Sequence, residues 1–276
     1  ADKAIGRTVL TLPILFTLAG LMLSVPLNAG SDSVLIHNGK RLLAEVTLIL
    51  VLFSDASHVR FQRLTKTWTI PLRMLLIGMP LTIALGTAIA FGLNPASGLA
   101  MALLTAAVLT PTDAALGQTV VSSPDVPAHL SQTINVESGL NDGLALPFVL
   151  FGAILASAAT LGHAETGAVA IEALREILLG PVAGISVGWC MAKVLDWSQE
   201  NDLTNESAAG VVFLCTAFMA YVLAAIVGGN GFIAAFAAGL AFGNVVQGRC
   251  KFVYEFTEGE GQLLAWASFL LLGVAL

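Results

Sequence analysis

Long apolar runs recur along the whole 276-residue chain and alternate with short polar segments. A run of about 18 or more apolar residues is typical of a helix that crosses a membrane. The pattern therefore predicts an all-α membrane protein, a polytopic helical bundle of about nine spans. The predicted spans are residues 5–25, 42–59, 68–93, 96–121, 128–158, 171–197, 208–227 and 232–246, and a ninth that begins near residue 262. We expect Pro26 to close the first span.

The fifth predicted span is interrupted by polar side chains within residues 133–143. A carboxylate at the bilayer centre costs roughly 2.5–3.5 kcal/mol, so such groups usually face a cavity, a partner or an ion. Residues four apart share a helix face, which places Ser138 under Asp142 and Glu137 under Asn141. The hard oxygens of Asp142 and Ser138 suit Na⁺ or a proton better than a transition metal. The alternative is a helix whose polar residues are satisfied by neighbouring helices.

Two glycines in the same stretch, Gly139 and Gly143, lie four residues apart. Such a pair of small residues allows close approach between helices. We expect the backbone of another helix to pack here.

The fourth predicted span contains the sequence Thr110-Pro111-Thr112-Asp113. Pro111 removes a helical hydrogen bond and clashes with the preceding turn. Threonine side chains can satisfy the freed backbone groups. We therefore predict a Pro-broken helix, whose unwound carbonyls can coordinate a cation and which presents Asp113 next to the break.

If Asp113 and Asp142 approach each other, they cannot both ionise at low cost without a cation between them. Their titrations would then be coupled. Either Na⁺ or a proton would neutralise the pair, and this competition is sufficient for exchange.

Composition supports a membrane protein and excludes some partners. The sequence is 57% hydrophobic and only 11% charged, whereas about 25% charged residues are usual in soluble domains. No basic stripe is present, so we expect membrane lipid and no nucleic acid as a partner. The first residue is not Met and the last residues are an apolar run, so we expect the chain to be truncated, notably at the C-terminus.

The Lys and Arg residues predict an orientation. With the N-terminus in the cytoplasm, nine of the 12 lie on the inner side, and Lys40, Arg41 and Arg175 lie outside. Glu45 then lies near the outer end of its span, beside Lys40 and Arg41, where we expect it to be solvated or paired.

The two polar motifs, LTPTDAALG at residues 109–117 and NVESGLNDG at residues 135–143, together resemble the monovalent cation/proton antiporters. The similarity is to the sodium/proton exchangers of the NhaP-type branch, which have an Asn-Asp pair, and it covers essentially the whole chain. The resemblance implies that Asp142 carries the ion and the proton. It also implies that Ser138, Asp113 and the backbone at Thr112 help to coordinate Na⁺.

In the resemblance, Asn141 and Glu137 are supporting residues. A basic residue from a late span would pair with the acid at Glu137, but no such residue is recognisable in this chain. The Asn before the Asp implies electroneutral exchange, one ion for one proton. No resident cofactor is implied, because the ions are cargo.

The resemblance further implies that one transmembrane exchanger domain, residues 1–276, contains two parts with different functions. Residues 68–158 would belong to a moving ion-translocating core. Residues 1–67 and 159–276 would form the scaffold and dimerisation helices of a homodimer, in the plasma (inner) membrane.

Other functions remain open at this point. A K⁺/H⁺ antiporter cannot be separated from a Na⁺/H⁺ antiporter by these residues, and a cation channel is a further alternative, although nothing resembles a selectivity filter. An intramembrane aspartyl protease is remote, because Asp142 follows Gly-Leu-Asn and not Gly-x-Gly. We expect a transporter and not an enzyme.

Overall fold

The computed structural model describes residues 12–28, 34–59, 69–112, 126–161, 166–201 and 203–246, and residues 266–267, 269–270 and 272–274. These residues form helices and short connections, without a strand among them, which confirms the predicted all-α class. The helices are α1 Leu12–Asn28, α2 Val34–His58, α3 Thr69–Leu93, α4 Gly98–Leu109, α5 Ala128–Leu161, α6 Thr166–Glu200, α7 Glu206–Ile226 and α8 Gly231–Val246.

Four segments of the described chain are long and apolar enough to cross a membrane: Thr69–Leu93, Val136–Ala158, Leu174–Glu200 and Ala208–Ile226. Shorter apolar helical segments lie at Ile14–Ser24, Pro95–Leu109 and Gly231–Val246. The second predicted span corresponds to α2, which begins eight residues earlier than predicted. The described residues of the ninth predicted span are helical.

Small residues hold α8 between α6 and α2. On α6, Gly180, Gly184 and Gly188 are spaced by four and lie against the backbone of α8 or of the turn before it. On another face of α8, Gly239 and Gly243 lie against the backbone of α2. An added Cβ at Gly180 would lie 2.9 Å from the carbonyl oxygen of Asn230, closer than packed atoms allow. Helices in membranes commonly pack in this way, because small residues let two backbones approach.

The described helices pack as two groups. One consists of α2, α6, α7 and α8, whose core contains the aromatic rings of Phe53, Phe213 and Phe242. The other consists of α3, α4 and α5, which meet around Met79 and Ala106. A third cluster joins the groups. It consists of Leu52, Ala56 and Phe236 with Leu140, Leu146, Phe232 and Leu240.

Two local features differ from the sequence prediction. The first predicted span was expected to close at Pro26, which is wrong, because α1 continues to Asn28. Proline is tolerated within helices of membrane proteins, and Pro147 and Pro181 also lie inside helices here. Within α3, Met74–Gly78 forms a π-helical turn, in which the N–H of Met79 donates to the carbonyl of Met74.

Candidate functional site

The fourth predicted span is broken at Pro111. The helix α4 ends at Leu109, and Pro111 and Thr112 are not helical. Pro111 has no N–H to donate to the preceding turn. The hydroxyl of Thr110 donates to the carbonyl oxygen of Ala106 at 2.7 Å and so covers one carbonyl at the end of α4. The predicted Pro-broken helix is confirmed in the part of the span that the structure describes.

The break brings Thr112 against the polar face of α5. Ser138 Oγ donates to the carbonyl oxygen of Thr112 at 3.0 Å. Asn141 Nδ2 donates to the same carbonyl oxygen at 3.0 Å and to Thr112 Oγ1 at 2.8 Å. Two adjacent stripes of α5 therefore converge on one residue of the broken helix.

Glu137 lies at the edge of this cluster. Its Oε2 accepts from Thr112 Oγ1 and its Oε1 from Asn141 Nδ2, both at 3.5 Å. These distances are long for hydrogen bonds. In the described part of the chain none of its contacts is with a Lys or Arg, so the basic partner that the resemblance implies is not found there.

The amide of Asn141 has one atom without a partner. A carbonyl oxygen only accepts, so the bond to Thr112 O fixes Nδ2 on that side. Oδ1 is then buried without a hydrogen-bond partner, on a residue that is only 2% exposed. A buried acceptor without a donor costs about 1–3 kcal/mol. The site therefore contains an oxygen that a donor or a cation would stabilise.

Asp142 follows Asn141 on α5 and is half-buried. The next residue, Gly143, faces the ring of Phe236 on α8, and an added Cβ would collide with that ring. The atoms nearest to Gly143 are therefore those of an aromatic side chain of another helix. Asp113 lies outside the described residues, so its predicted approach to Asp142 stays a prediction.

The chemistry of the cluster is that of hard oxygen ligands. Thr112 and Ser138 offer hydroxyl oxygens, and Glu137 and Asp142 offer carboxylates. Among the described residues no group of three or more His, Cys, Asp or Glu could hold a metal ion. Oxygen ligands suit alkali and alkaline-earth cations.

Sequence reasoning missed one feature of this site. The backbone at Thr112 was predicted to coordinate a cation, but it was not predicted that its carbonyl oxygen accepts two hydrogen bonds from α5. The hint in the sequence was the pair of donors, Ser138 and Asn141, on neighbouring stripes of one helix.

Comparison with known proteins gives consistent results. The family model described as "Sodium/hydrogen exchanger, transmembrane" matches residues 4–276. A probable Na⁺/H⁺ antiporter of Schizosaccharomyces pombe is 28% identical over 204 residues, which are 72% of this chain and 27% of the relative. The Na⁺/H⁺ antiporter 2 of Zygosaccharomyces rouxii is 29% identical over 228 residues, 79% of this chain and 27% of the relative.

Two further similarities concern cation choice and fold. A K⁺/H⁺ antiporter of Shewanella oneidensis, NhaP2, is 26% identical over 176 residues, 63% of this chain and 29% of the relative. The structure of the sodium proton antiporter MjNhaP1 from Methanocaldococcus jannaschii at pH 8 matches with a TM-score of 0.73 and 21% identity. That match covers 99% of this chain and 66% of the solved one, and it shows that the fold is shared. The chain spans between a quarter and a third of the length of these curated relatives.

Proposed function

This chain belongs to the sodium/hydrogen exchanger family, and from this premise we propose that the protein exchanges a monovalent cation, Na⁺, for protons across a membrane. The observation that carries the proposal is that the side chains of Ser138 and Asn141 both bond to Thr112. Asn141 is the residue directly before Asp142. An ionisable group inside a membrane is a functional group by default. Asp142 is such a group, and it directly follows Asn141, which bonds to Thr112 and has an unsatisfied buried oxygen.

Each residue has a proposed role. Asp142 binds either the cation or the proton. Ser138 and the backbone at Thr112 supply neutral oxygens for Na⁺, and the two groups are adjacent, since Ser138 Oγ donates to the carbonyl oxygen of Thr112 at 3.0 Å. Asp113 supplies a second carboxylate.

Asn141 and Glu137 support the site. Asn141 connects the broken helix to α5 by its hydrogen bond to Thr112. The carboxylate of Glu137 accepts hydrogen bonds from Asn141 and from Thr112. Asn141 carries no charge, and the resemblance to exchangers with an Asn before the Asp implies that the exchange is electroneutral, one cation for one proton.

The proposal also covers the membrane location, the orientation and the oligomeric state of the protein. The protein works in the plasma membrane, in contact with lipid, with the N-terminus of this chain in the cytoplasm and as a homodimer. Residues 68–158 form a core that moves against residues 1–67 and 159–276. The packing supports this division, since α3, α4 and α5 share one cluster and α2, α6, α7 and α8 share another. The site needs no resident cofactor, because the cation and the proton are cargo.

A K⁺/H⁺ exchanger is the second candidate. It is favoured by the similarity to the K⁺/H⁺ antiporter of Shewanella oneidensis. The same carboxylate competition would operate, and the cation would differ.

The test uses the full-length protein in liposomes, with proton flux driven by inward gradients of Na⁺, Li⁺ or K⁺. We expect Na⁺ to drive flux and Asp142→Asn to abolish it, because the amide can neither bind nor release a proton. Asp196→Asn is the control, since Asp196 is a half-buried aspartate of the membrane helix α6, outside the site. Flux that persists in Asp142→Asn would refute the role of Asp142, and flux driven only by K⁺ would favour the second candidate.

A further inference from the structure

A cavity of about 290 Å³ opens where α6, α7 and α8 meet, away from the cluster around Thr112. Its polar lining comes from Arg175 and Glu176 on α6, Tyr221 on α7, and Asn230 in the turn before α8. This volume is at the small end of the range for ligand sites. It fits a compact polar group and not a whole lipid.

The acidic side of the cavity is held in place by Asn230. This residue caps α8, since its Oδ1 accepts from the N–H groups of Phe232 at 3.0 Å and Ile233 at 3.2 Å. Its backbone N–H donates to the carbonyl of Glu176 at 3.1 Å, and its Nδ2 donates to Glu176 Oε2 at 3.4 Å. The carboxylate of Glu176 is therefore positioned at the cavity wall and keeps acceptor capacity.

The basic side is the guanidinium of Arg175. Its Nη2 donates to the carbonyl oxygen of Val227 at 3.3 Å, which uses one of five N–H donors. The turn allows this contact because Gly228 adopts φ +79°, and a Cβ there would lie 3.0 Å from the guanidinium. The side chain of Arg175 is exposed, so its remaining donors can reach a ligand.

The cavity lies beside apolar surface. Next to it in sequence, Leu174 and Leu178 on α6 are 58% and 59% exposed, and Val222 and Ile226 on α7 are 51% and 72% exposed. In membrane-spanning helices such side chains face lipid. Arg175 lies near the end of its helix that the charge pattern predicts to be outside, so a polar cavity here is at the level of the lipid headgroups.

We propose that this cavity binds the headgroup of a phospholipid with a primary ammonium, such as phosphatidylethanolamine. Arg175 contacts the phosphate, for which the guanidinium fork is well suited. Glu176 accepts hydrogen bonds from the ammonium group. Phosphatidylglycerol has the same phosphate but lacks the ammonium, so it leaves the carboxylate of Glu176 without a positive partner, and a choline headgroup has no N–H to donate.

The experiment measures lipid binding to the delipidated full-length protein in detergent, by native mass spectrometry and by the melting temperature. The lipids are phosphatidylethanolamine, phosphatidylcholine and phosphatidylglycerol with identical acyl chains. Glycerophosphoethanolamine, which has the headgroup without the chains, is the fourth ligand. The variants are Arg175→Gln, Arg175→Lys and Glu176→Gln. Gln at position 176 keeps an acceptor for Asn230. Lys193→Gln is the matched control, because Lys193 is an exposed cation of the same helix outside the cavity.

We expect the wild-type protein to bind phosphatidylethanolamine most tightly. Arg175→Gln should lower that affinity about tenfold, as expected for loss of a charge-assisted contact, and Arg175→Lys should recover part of it. Glu176→Gln should lower the affinity for phosphatidylethanolamine and raise that for phosphatidylglycerol, which reverses the preference. Lys193→Gln should change the affinity for neither lipid.

Three results would overturn the proposal. The first is equal binding of all three lipids by the wild-type protein. The second is an unchanged preference in both Glu176→Gln and Arg175→Gln. The third is binding of glycerophosphoethanolamine as tight as that of the lipid, because it would identify a site for a soluble zwitterion.

Discussion

Asn141 is the residue that connects the two halves of the described site. Its Nδ2 reaches both oxygens of Thr112, at 3.0 and 2.8 Å, across 29 positions of sequence. Since it is buried and its Oδ1 has no partner, its side chain is held by the bonds of Nδ2 alone. A change at this position therefore affects both the geometry of the break and the environment of Asp142.

We predict that Asn141→Ala raises the KM for Na⁺ about tenfold and lowers the free energy of unfolding by about 1–3 kcal/mol. The reason is that Thr112 loses the two hydrogen bonds from Asn141 Nδ2 and is held against α5 less firmly, chiefly by the bond from Ser138 Oγ. Flux assays in liposomes and melting in detergent measure the two effects.

Asn244→Ala is the matched control for this prediction. Asn244 Nδ2 also bonds two carbonyl oxygens, those of Val59 and Leu240, both at 2.8 Å, and neither bond involves Thr112. We expect it to lower stability and leave the KM unchanged. If both variants change the KM equally, the effect of Asn141 is one of general stability.

At the residue scale, the sequence predicted which side chains share a face but not what they bond. The spacing of Glu137, Ser138, Asn141 and Asp142 follows from helix geometry alone. The bonds to Thr112 depend on how α4 and α5 pack, which is not encoded in local periodicity. Gly143 is a similar case, because the small residue was recognised and its neighbour, Phe236, was not.

At the scale of elements, the break at Pro111 determines where Thr112 lies. We predict that Pro111→Ala allows α4 to continue beyond Leu109, because the position regains a helical donor. Thr112 would then turn away from Ser138 and Asn141, and the affinity for Na⁺ should fall by about tenfold or more. Flux against Na⁺ concentration measures this change.

Pro181→Ala controls for the loss of a proline as such. Pro181 lies inside α6, which remains one helix from Thr166 to Glu200. We expect normal Na⁺ affinity in this variant. An unchanged affinity in Pro111→Ala as well would contradict the proposed role of the break.

The packing of α8 on α6 gives a stability prediction. Gly184→Ala places a Cβ against the backbone of Ala234, so we expect a loss of about 1–3 kcal/mol in the free energy of unfolding. Gly92→Ala is the control, since nothing lies within 4 Å of its added Cβ, and it should be neutral or stabilising. Melting temperatures in detergent compare the two variants, and equal melting temperatures would count against the close contact of α6 and α8.

Not all elements could be predicted from sequence. Hydrophobic runs located α5 and α8 closely, with α5 beginning at the predicted residue 128 and α8 one residue before the predicted 232. The end of α1 was misplaced, because Pro26 was treated as a helix terminator although the helix includes it. The π-helical turn at Met74–Gly78 had no signal in an apolar stretch, because it changes the hydrogen bonding and not the residue pattern.

For the whole molecule, the important feature is that α5 belongs to the cluster of α3 and α4 while it also contacts α2, α6 and α8. Any movement of the proposed core against the scaffold would therefore shift the helix that carries Asp142. The cluster that joins the two groups is apolar and includes Leu52, Ala56 and Phe236. An interface of this kind is compatible with sliding, because nonpolar contacts are not directional.

The central claim is that a cation and a proton compete for Asp142. It is tested most directly by the KM for Na⁺ of the full-length protein in liposomes over a series of pH values. At pH values low enough to protonate Asp142 in the absence of Na⁺, competition predicts that each unit decrease in pH raises the KM for Na⁺ about tenfold. The maximal rate at saturating Na⁺ should stay unchanged. A KM that does not change with pH, with a maximal rate that falls instead, would contradict the claim.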